Sequence, residues 1–328
     1  MTQETLELKE NTKLKNFWIK LRIRLRGTNQ TQGWVGKFIS YALLISIGFV
    51  YLYPLLHMLA TSFMSLDDLL DSSVTWIPSS LYLRNYQQVF QVMNLKEGLF
   101  GSIMISLVPT LFQLVVTCLV GYGFATYEFK FKKTMMFLLL FSFVIPPQIT
   151  MMPTYVLYND LGLLGSLKAF VIPALLGQGI KSPIFIFIFY QFFKQTPKSL
   201  YEAARVDGAG EWRIFYKVAL PMAMPAVVIV FLFSFVWYWN ETYLVNLYIG
   251  SVAGRSVKWT TVLIQLQLFR SSYEQLYPVA LNINTPNKWN EGVSMAGTVI
   301  SILPLLITYF VLQRYFVESV DNAGITGE

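Results

Sequence analysis

A chain of 328 residues with a mean hydropathy of +0.50, 26 Phe and 19 Tyr carries more apolar surface than one soluble core of that length needs, so lipid is the expected solvent for much of it. The single cysteine, Cys118, lies in an apolar run, which excludes an intramolecular disulfide framework and leaves no thiolate metal site. The net charge of +7 is therefore read for where it lies along a membrane chain, and nucleic acid is not an expected partner.

Residues 1–37 form a basic tail, predicted cytoplasmic. Leu14, Phe17, Trp18, Leu21 and Leu25 share one helical face while Lys20, Arg22, Arg24 and Arg26 lie off it, the pattern of an interfacial helix on anionic lipid. A disordered basic tail held loosely by the same lipid is the alternative. No cleavable signal is expected, because the first apolar run follows this tail and is too long for a signal-peptide core.

Six runs are long enough to cross roughly 30 Å of hydrocarbon: 38–63, 100–125, 134–158, 169–193, 219–247 and 291–317. The expected fold is thus an all-α integral membrane domain of six transmembrane helices over 38–317, followed by a short tail at 318–328. Prolines 54, 109, 146, 147, 173, 221, 225 and 304 fall inside the spans, which a bundle tolerates where neighbours satisfy the freed backbone groups. With both termini inside, the cytoplasmic side carries 17 Lys and Arg and the opposite side 7, which favours a cytoplasmic loop at 194–221 and an extracellular loop at 248–290. The stretch 271–290, with Tyr273 and Tyr277, is a candidate contact for an external partner.

Lys181 falls within the fourth run. A lysine at the centre of a span costs about 2.5–3.5 kcal/mol, so it either lines a pathway and meets substrate or a carboxylate, or belongs to a structural pair or a misplaced span boundary. Near the outer end of the fifth run, Asn240 and Glu241 stand among Trp237, Tyr238, Trp239 and Tyr243, aromatics that stack on sugars or belt a membrane interface. Asn240-Glu241-Thr242 matches a glycosylation acceptor by pattern alone. His57, the lone histidine, reads as a packed residue of the first span rather than a ligand or base.

The loop YEAARVDGAGEWRIFYKVALP, residues 201–221, holds six charges: Glu202, Arg205, Asp207, Glu211, Arg213 and Lys217. Thr196-Pro197 predicts a helix start with a capping hydroxyl, and Leu200, Ala203 and Ala204 fall at i, i+3 and i+4 as a narrow face of small residues. Asp207-Gly208 stops this helix and a second, from about Gly210, enters the membrane through Leu220-Pro221. A short helix held across a loop with its alanines outward has the shape of an element that docks in another protein's groove.

Glu202-Ala203-Ala204, three residues, Gly208, nine residues, Val218, one residue, Leu220-Pro221 resembles the EAA signature of permease subunits of ATP-binding-cassette (ABC) importers, with Val218 where that family usually has isoleucine. EAARVDGAG, the WNE at 239–241 and SILPLLITYFVLQRYFV at 301–317 resemble the carbohydrate-uptake, maltose-type branch. The resemblance extends over about residues 38–325. It implies the type I importer permease fold, with Leu200, Glu202, Ala203, Ala204, Asp207, Gly208, Ala209, Gly210, Leu220 and Pro221 forming the element that couples to an ATPase. It also implies a bacterial cytoplasmic membrane location, a second related permease, two ATPase subunits and an extracellular solute-binding protein.

The chain carries no G-x-x-x-x-G-K-[ST] loop; the nearest match, at Gly177 to Ser182, has the wrong spacing. No catalytic constellation and no cofactor are expected here, ATP and Mg belonging to the partner subunits. Two other classes stand beside a sugar permease: an importer of peptides or amino acids, and a secondary transporter. The spans lack acidic residues away from their ends, which disfavours ion coupling.

Overall fold

The computed structural model describes residues 24–25, 27–28, 31–250, 259–278 and 288–325. Most of the predicted interfacial helix, including Leu14, Phe17, Trp18 and Leu21, lies outside them. The chain divides into two compact units, Met1–Leu81 and Tyr82–Glu328.

In the first unit, a two-residue antiparallel pair, β1 (Gly27–Thr28) and β2 (Thr31–Gln32), precedes α1 (Trp34–Ser62). Helix α1 is apolar all round and none of its most apolar window is buried, as expected of a helix that turns its side chains to lipid. His57 stacks on Tyr53 and meets Trp76 edge-on, with ring centroids 6.2 and 5.9 Å away. A capping box starts α2 (Leu66–Leu70): Asp68 N–H donates to Ser65 Oγ and Ser65 N–H to Asp68 Oδ2, both at 3.1 Å.

The second unit is built around α4 (Leu95–Thr126), which follows α3 (Arg84–Val92). Its buried stripe recurs every three or four residues through Gly98, Gly101, Ser102, Ile105, Ser106, Thr110, Gln113, Thr117, Cys118, Gly121 and Tyr122. Small residues at that spacing let other helices approach its backbone closely, the usual way membrane helices associate where burial from water supplies no drive. At Gly101 an added Cβ would collide with the Thr260 carbonyl, so only glycine admits the chain leading into the later helix there.

The predicted spans are interrupted more often than periodicity suggested. Helices α5 (Lys132–Val144) and α6 (Pro147–Asp160) meet at 96° across Pro146-Pro147. The run 169–193 divides into α7 (Lys168–Leu175) and α8 (Ser182–Gln195), each short of the roughly 20 residues a straight crossing needs. After the loop, α9 (Lys198–Val206) leads to α10 (Glu211–Ile214), a widened π turn (Phe215–Ala219) and α11 (Leu220–Met222). The chain then bends by 75° into α12 (Met224–Asn240), with Pro221 and Pro225 on either side of the bend. Among the described residues three helices are long and apolar enough to cross a membrane, or five when each bent pair counts as one crossing.

The predicted loop 248–290 contains structure that its sequence position concealed. After α13 (Tyr243–Val245), α14 (Val262–Leu276) turns Val262, Leu266, Phe269 and Tyr273 inward on one stripe. Tyr273 is enclosed against Phe269 and Trp289 rather than presented outward. The last helix, α15 (Glu291–Ile325), runs on through the residues expected to form a separate tail from 318.

Candidate functional site

The element between α8 and α12 forms as a helix–turn–helix, with one change at its start. Thr196 does not cap α9: its hydroxyl turns back to the Phe192 carbonyl of α8 at 3.5 Å, and Pro197 takes the N-cap position. The helix ends where Asp207-Gly208 predicts. Gly208 adopts φ +77°, Gly208 N–H donates to the Arg205 carbonyl and Ala209 N–H to that of Ala204, both at 3.0 Å. This paired closure requires a left-handed residue, which glycine supplies without cost.

The expected outward face of Leu200, Ala203 and Ala204 divides in two. Leu200 and Ala203 are exposed, with Glu202 and Asp207, and Val206 beside them is 87% exposed. Ala204 instead packs inward with Ala209, Val218 and Leu220 on a buried cluster that includes Tyr122, Phe189, Phe193, Tyr201 and Phe215. Consecutive residues lie about a quarter turn apart on a helix, so neighbours in sequence look in different directions. Gly210 and Pro221 are exposed at the start of α10 and in α11.

Two devices join this element to the bundle. Tyr122, near the end of α4, is a hub whose ring lies 5.3 Å from Phe193, 5.0 Å from Phe215 and 6.2 Å from Tyr201. Outside the hub, Arg205 donates to Glu211 through Nε at 2.9 Å and Nη2 at 3.3 Å, and Tyr127 donates to the same carboxylate at 2.8 Å. Glu211 thus staples α9 to α10 and to the residue that ends α4. Burial, and after it the bond to Glu211, pushes the Tyr127 hydroxyl above the ordinary tyrosine value, and the bond to Glu211 raises Arg205.

Within the bundle, residues 176–181 separate α7 from α8, and their backbone is held by side chains of other helices. Gln113 Nε2 donates to the Ile180 carbonyl at 2.7 Å, and Ile180 N–H donates to Tyr238 Oη at 3.1 Å. Thr110 and Ser234 hydroxyls meet at 3.1 Å beside them. Lys181 stands at the end of this break with its ammonium 5.0 Å from the Phe143 ring centroid and 5.9 Å from that of Trp237.

Residues 114–322, well over half of the chain, match the family described as binding-protein-dependent transport system inner membrane component. The chain belongs to this family. This permease is 31% identical to the arabinooligosaccharides transport system permease protein of Halalkalibacterium halodurans, over 86% of its own length and 93% of the relative's. It is 26% identical to the polygalacturonan/rhamnogalacturonan transport system permease protein of Bacillus subtilis (88% and 96% covered) and 27% identical to the lactose transport system permease protein of Rhizobium radiobacter (85% and 93%). A crystal structure of a bacterial ABC transporter involved in the import of the acidic polysaccharide alginate contains a chain of the same fold, with a TM-score of 0.66, 22% identity and coverage of 86% and 96%.

The permease does not bring its remaining predicted pathway residues together. Trp239 is 2% exposed, its ring 5.7 Å from Phe235 in the cluster that holds Val262, Phe269 and Tyr273. Lys181 faces Trp237, two residues earlier and so on the other side of α12. Asn240 is exposed and donates to the Val236 carbonyl at 2.9 Å, while Glu241 accepts from Leu244 N–H at 2.9 Å and closes a turn. Thr110, Gln113 and Ser234 were missed from sequence, and Tyr238, read there as an aromatic, joins them through its hydroxyl; the signal was a glutamine in the middle of an apolar helix.

Proposed function

We propose that this permease forms half of the translocation pathway of a sugar or oligosaccharide importer, pairing with a second, related permease. A solute-binding protein delivers the glycan from outside, and two separate ATPase subunits, which bind ATP and Mg, drive the cycle. The reading places both termini and the 194–221 loop in the cytoplasm of a bacterial cell and gives this chain no ATP hydrolysis of its own. The relatives named for arabinooligosaccharides, polygalacturonan/rhamnogalacturonan and lactose support a carbohydrate as the solute.

The observation that carries the coupling role is the two-faced helix α9. Leu200, Ala203 and Val206 are free to meet an ATPase groove, while Tyr201 and Ala204 are built into the same cluster as α4 and α8. A push on the outer face is then passed through close-packed rings to the long helix α4 and the shorter α8 rather than absorbed in a loose loop. Leu220 and Pro221 lie where this element joins the bent α12, a hinge that converts the push into a change of helix direction.

Reconstitution tests the reading. The four-part membrane complex in proteoliposomes, supplied with its binding protein, is expected to accumulate a labelled oligosaccharide only with ATP inside and binding protein outside. Accumulation driven by an ion gradient without ATP, or of amino acids or peptides but no glycan, would overturn it. Orientation is tested by cysteines at Ser199 and Ser272 in a Cys118→Ser background: in intact cells a membrane-impermeant reagent is expected to label 272 and spare 199, and the reverse would invert the topology.

A further inference from the structure

Lys181 poses a question that packing alone does not answer. It lies in a chain segment apolar enough to have been read as a continuous span, yet the helix is interrupted there over 176–181. The interruption is built rather than frayed. Gln113 and Tyr238 take up the Ile180 carbonyl and N–H, and Gly177 turns the chain at φ +71°. At Gly179 an added Cβ would stand 2.6 Å from both Gln113 Oε1 and Tyr238 Oη, so the clamp closes on bare backbone. Non-helical backbone at membrane depth is sustained where protein encloses it or where it lines a watered cavity.

Two features of the break point to a ligand. Lys181 is one of two non-glycine residues with positive φ among those described, at +60°, a conformation that the surroundings must impose and that tends to occur at functional sites. Its ammonium rests against the Phe143 and Trp237 rings and has no carboxylate of the described residues within 4.0 Å, unlike Lys132 with Glu128, Arg205 with Glu211 and Arg270 with Glu274. Beside it Ser182, the first residue of α8, is fully buried with a hydroxyl that has no hydrogen-bond partner. That hydroxyl stands at the positive end of a 14-residue helix dipole.

We propose that this break is a subsite for an acidic sugar, in which Lys181 binds the carboxylate while the Phe143 and Trp237 rings pack on the sugar's C–H face. A neutral glycan needs only hydrogen-bonding groups, and a permanent cation would be a burden in its path; a carboxylated one compensates the lysine's lost hydration and leaves no net charge in the bundle. A lipid phosphate shares the anion chemistry, and the two sources differ in whether the lysine changes glycan selectivity. The inference rests on the glycan-importer reading above and names its substrate class.

The test uses the reconstituted complex with three labelled probes: a uronate disaccharide, its methyl ester and a neutral disaccharide of the same length. Wild-type uptake is expected to favour the uronate over its ester by about tenfold in KM, the scale of one charge-assisted contact. Lys181→Asn, which suits the left-handed backbone, should erase that preference with little effect on the neutral probe, and Lys181→Arg should retain much of it. The acid-against-ester comparison in wild type stands even if the variants fail to assemble. Equal handling of acid and ester, a wild-type preference unchanged in Lys181→Asn, or equal loss for all three probes would overturn the subsite and leave a lipid or structural role. Absence of uptake for every glycan, with ATP hydrolysis intact, would overturn the importer reading itself.

Discussion

Substituting the two alanines of the EAA sequence separately distinguishes docking from folding. Ala203 is exposed on α9 and Ala204, its neighbour, packs on the buried cluster, so the same change has different consequences one residue apart. In Ala203→Glu the isolated permease should change stability by less than about 0.5 kcal/mol, as for a surface helix position. In an ATPase groove that fits a methyl group, the added atoms cost about 1–3 kcal/mol by crowding alone, which weakens docking by about five- to 150-fold. Ala204→Glu meets the same crowding inside the permease, against the buried cluster that includes Tyr201 and Phe215, and adds a poorly solvated carboxylate. Thermal unfolding in detergent and co-purification of the ATPase read the two effects. Ala203→Glu is expected to keep the wild-type midpoint and lose the ATPase, or keep it while uncoupling hydrolysis from uptake; Ala204→Glu is expected to lower the midpoint itself. Equal midpoint losses in both variants, or full coupling in Ala203→Glu, would refute the assignment of the two faces.

Three further outcomes follow from neighbouring geometry. Gly208→Val should cost about 1–2 kcal/mol or more and Gly208→Asn much less, since nothing lies within 4 Å of an added Cβ and the left-handed backbone alone opposes the change; thermal midpoints check the order. A double-mutant cycle of Arg205→Ala and Glu211→Gln should yield a coupling of about 0.2–1 kcal/mol that shrinks in high salt, because both side chains are close to half exposed. Gln113→Leu should destabilise the bundle by about 1–3 kcal/mol, leaving the Ile180 carbonyl unpaired in a part-buried place, and should speed hydrogen exchange around 176–181.

The long apolar runs, the proline bends and the punctuation of the 201–221 loop were legible along the chain because each is local. Hydrophobic length marks α1, α4 and α15, Pro146-Pro147 and Pro221 mark turns of the helix axis, and Gly208 marks a left-handed helix end. The spacing from Glu202 to Pro221 went further and pointed to the family, since its charges, small side chains and breaks stand at the intervals of the family's signature. Tertiary structure decided which side of each helix does what. Hydropathy treats a residue as lipid-facing or buried alike, so the small-residue stripe of α4, the inward Ala204 and the enclosed Trp239 could not be separated from their outward neighbours. The break at 176–181 was masked by the apolar runs on either side of it: two glycines, a glutamine and a lysine mark the spot, but what fixes its backbone is a glutamine and a tyrosine 67 and 58 residues away in the chain. Partners at that distance are set by how the bundle closes, and no window along the sequence contains both ends of the bond.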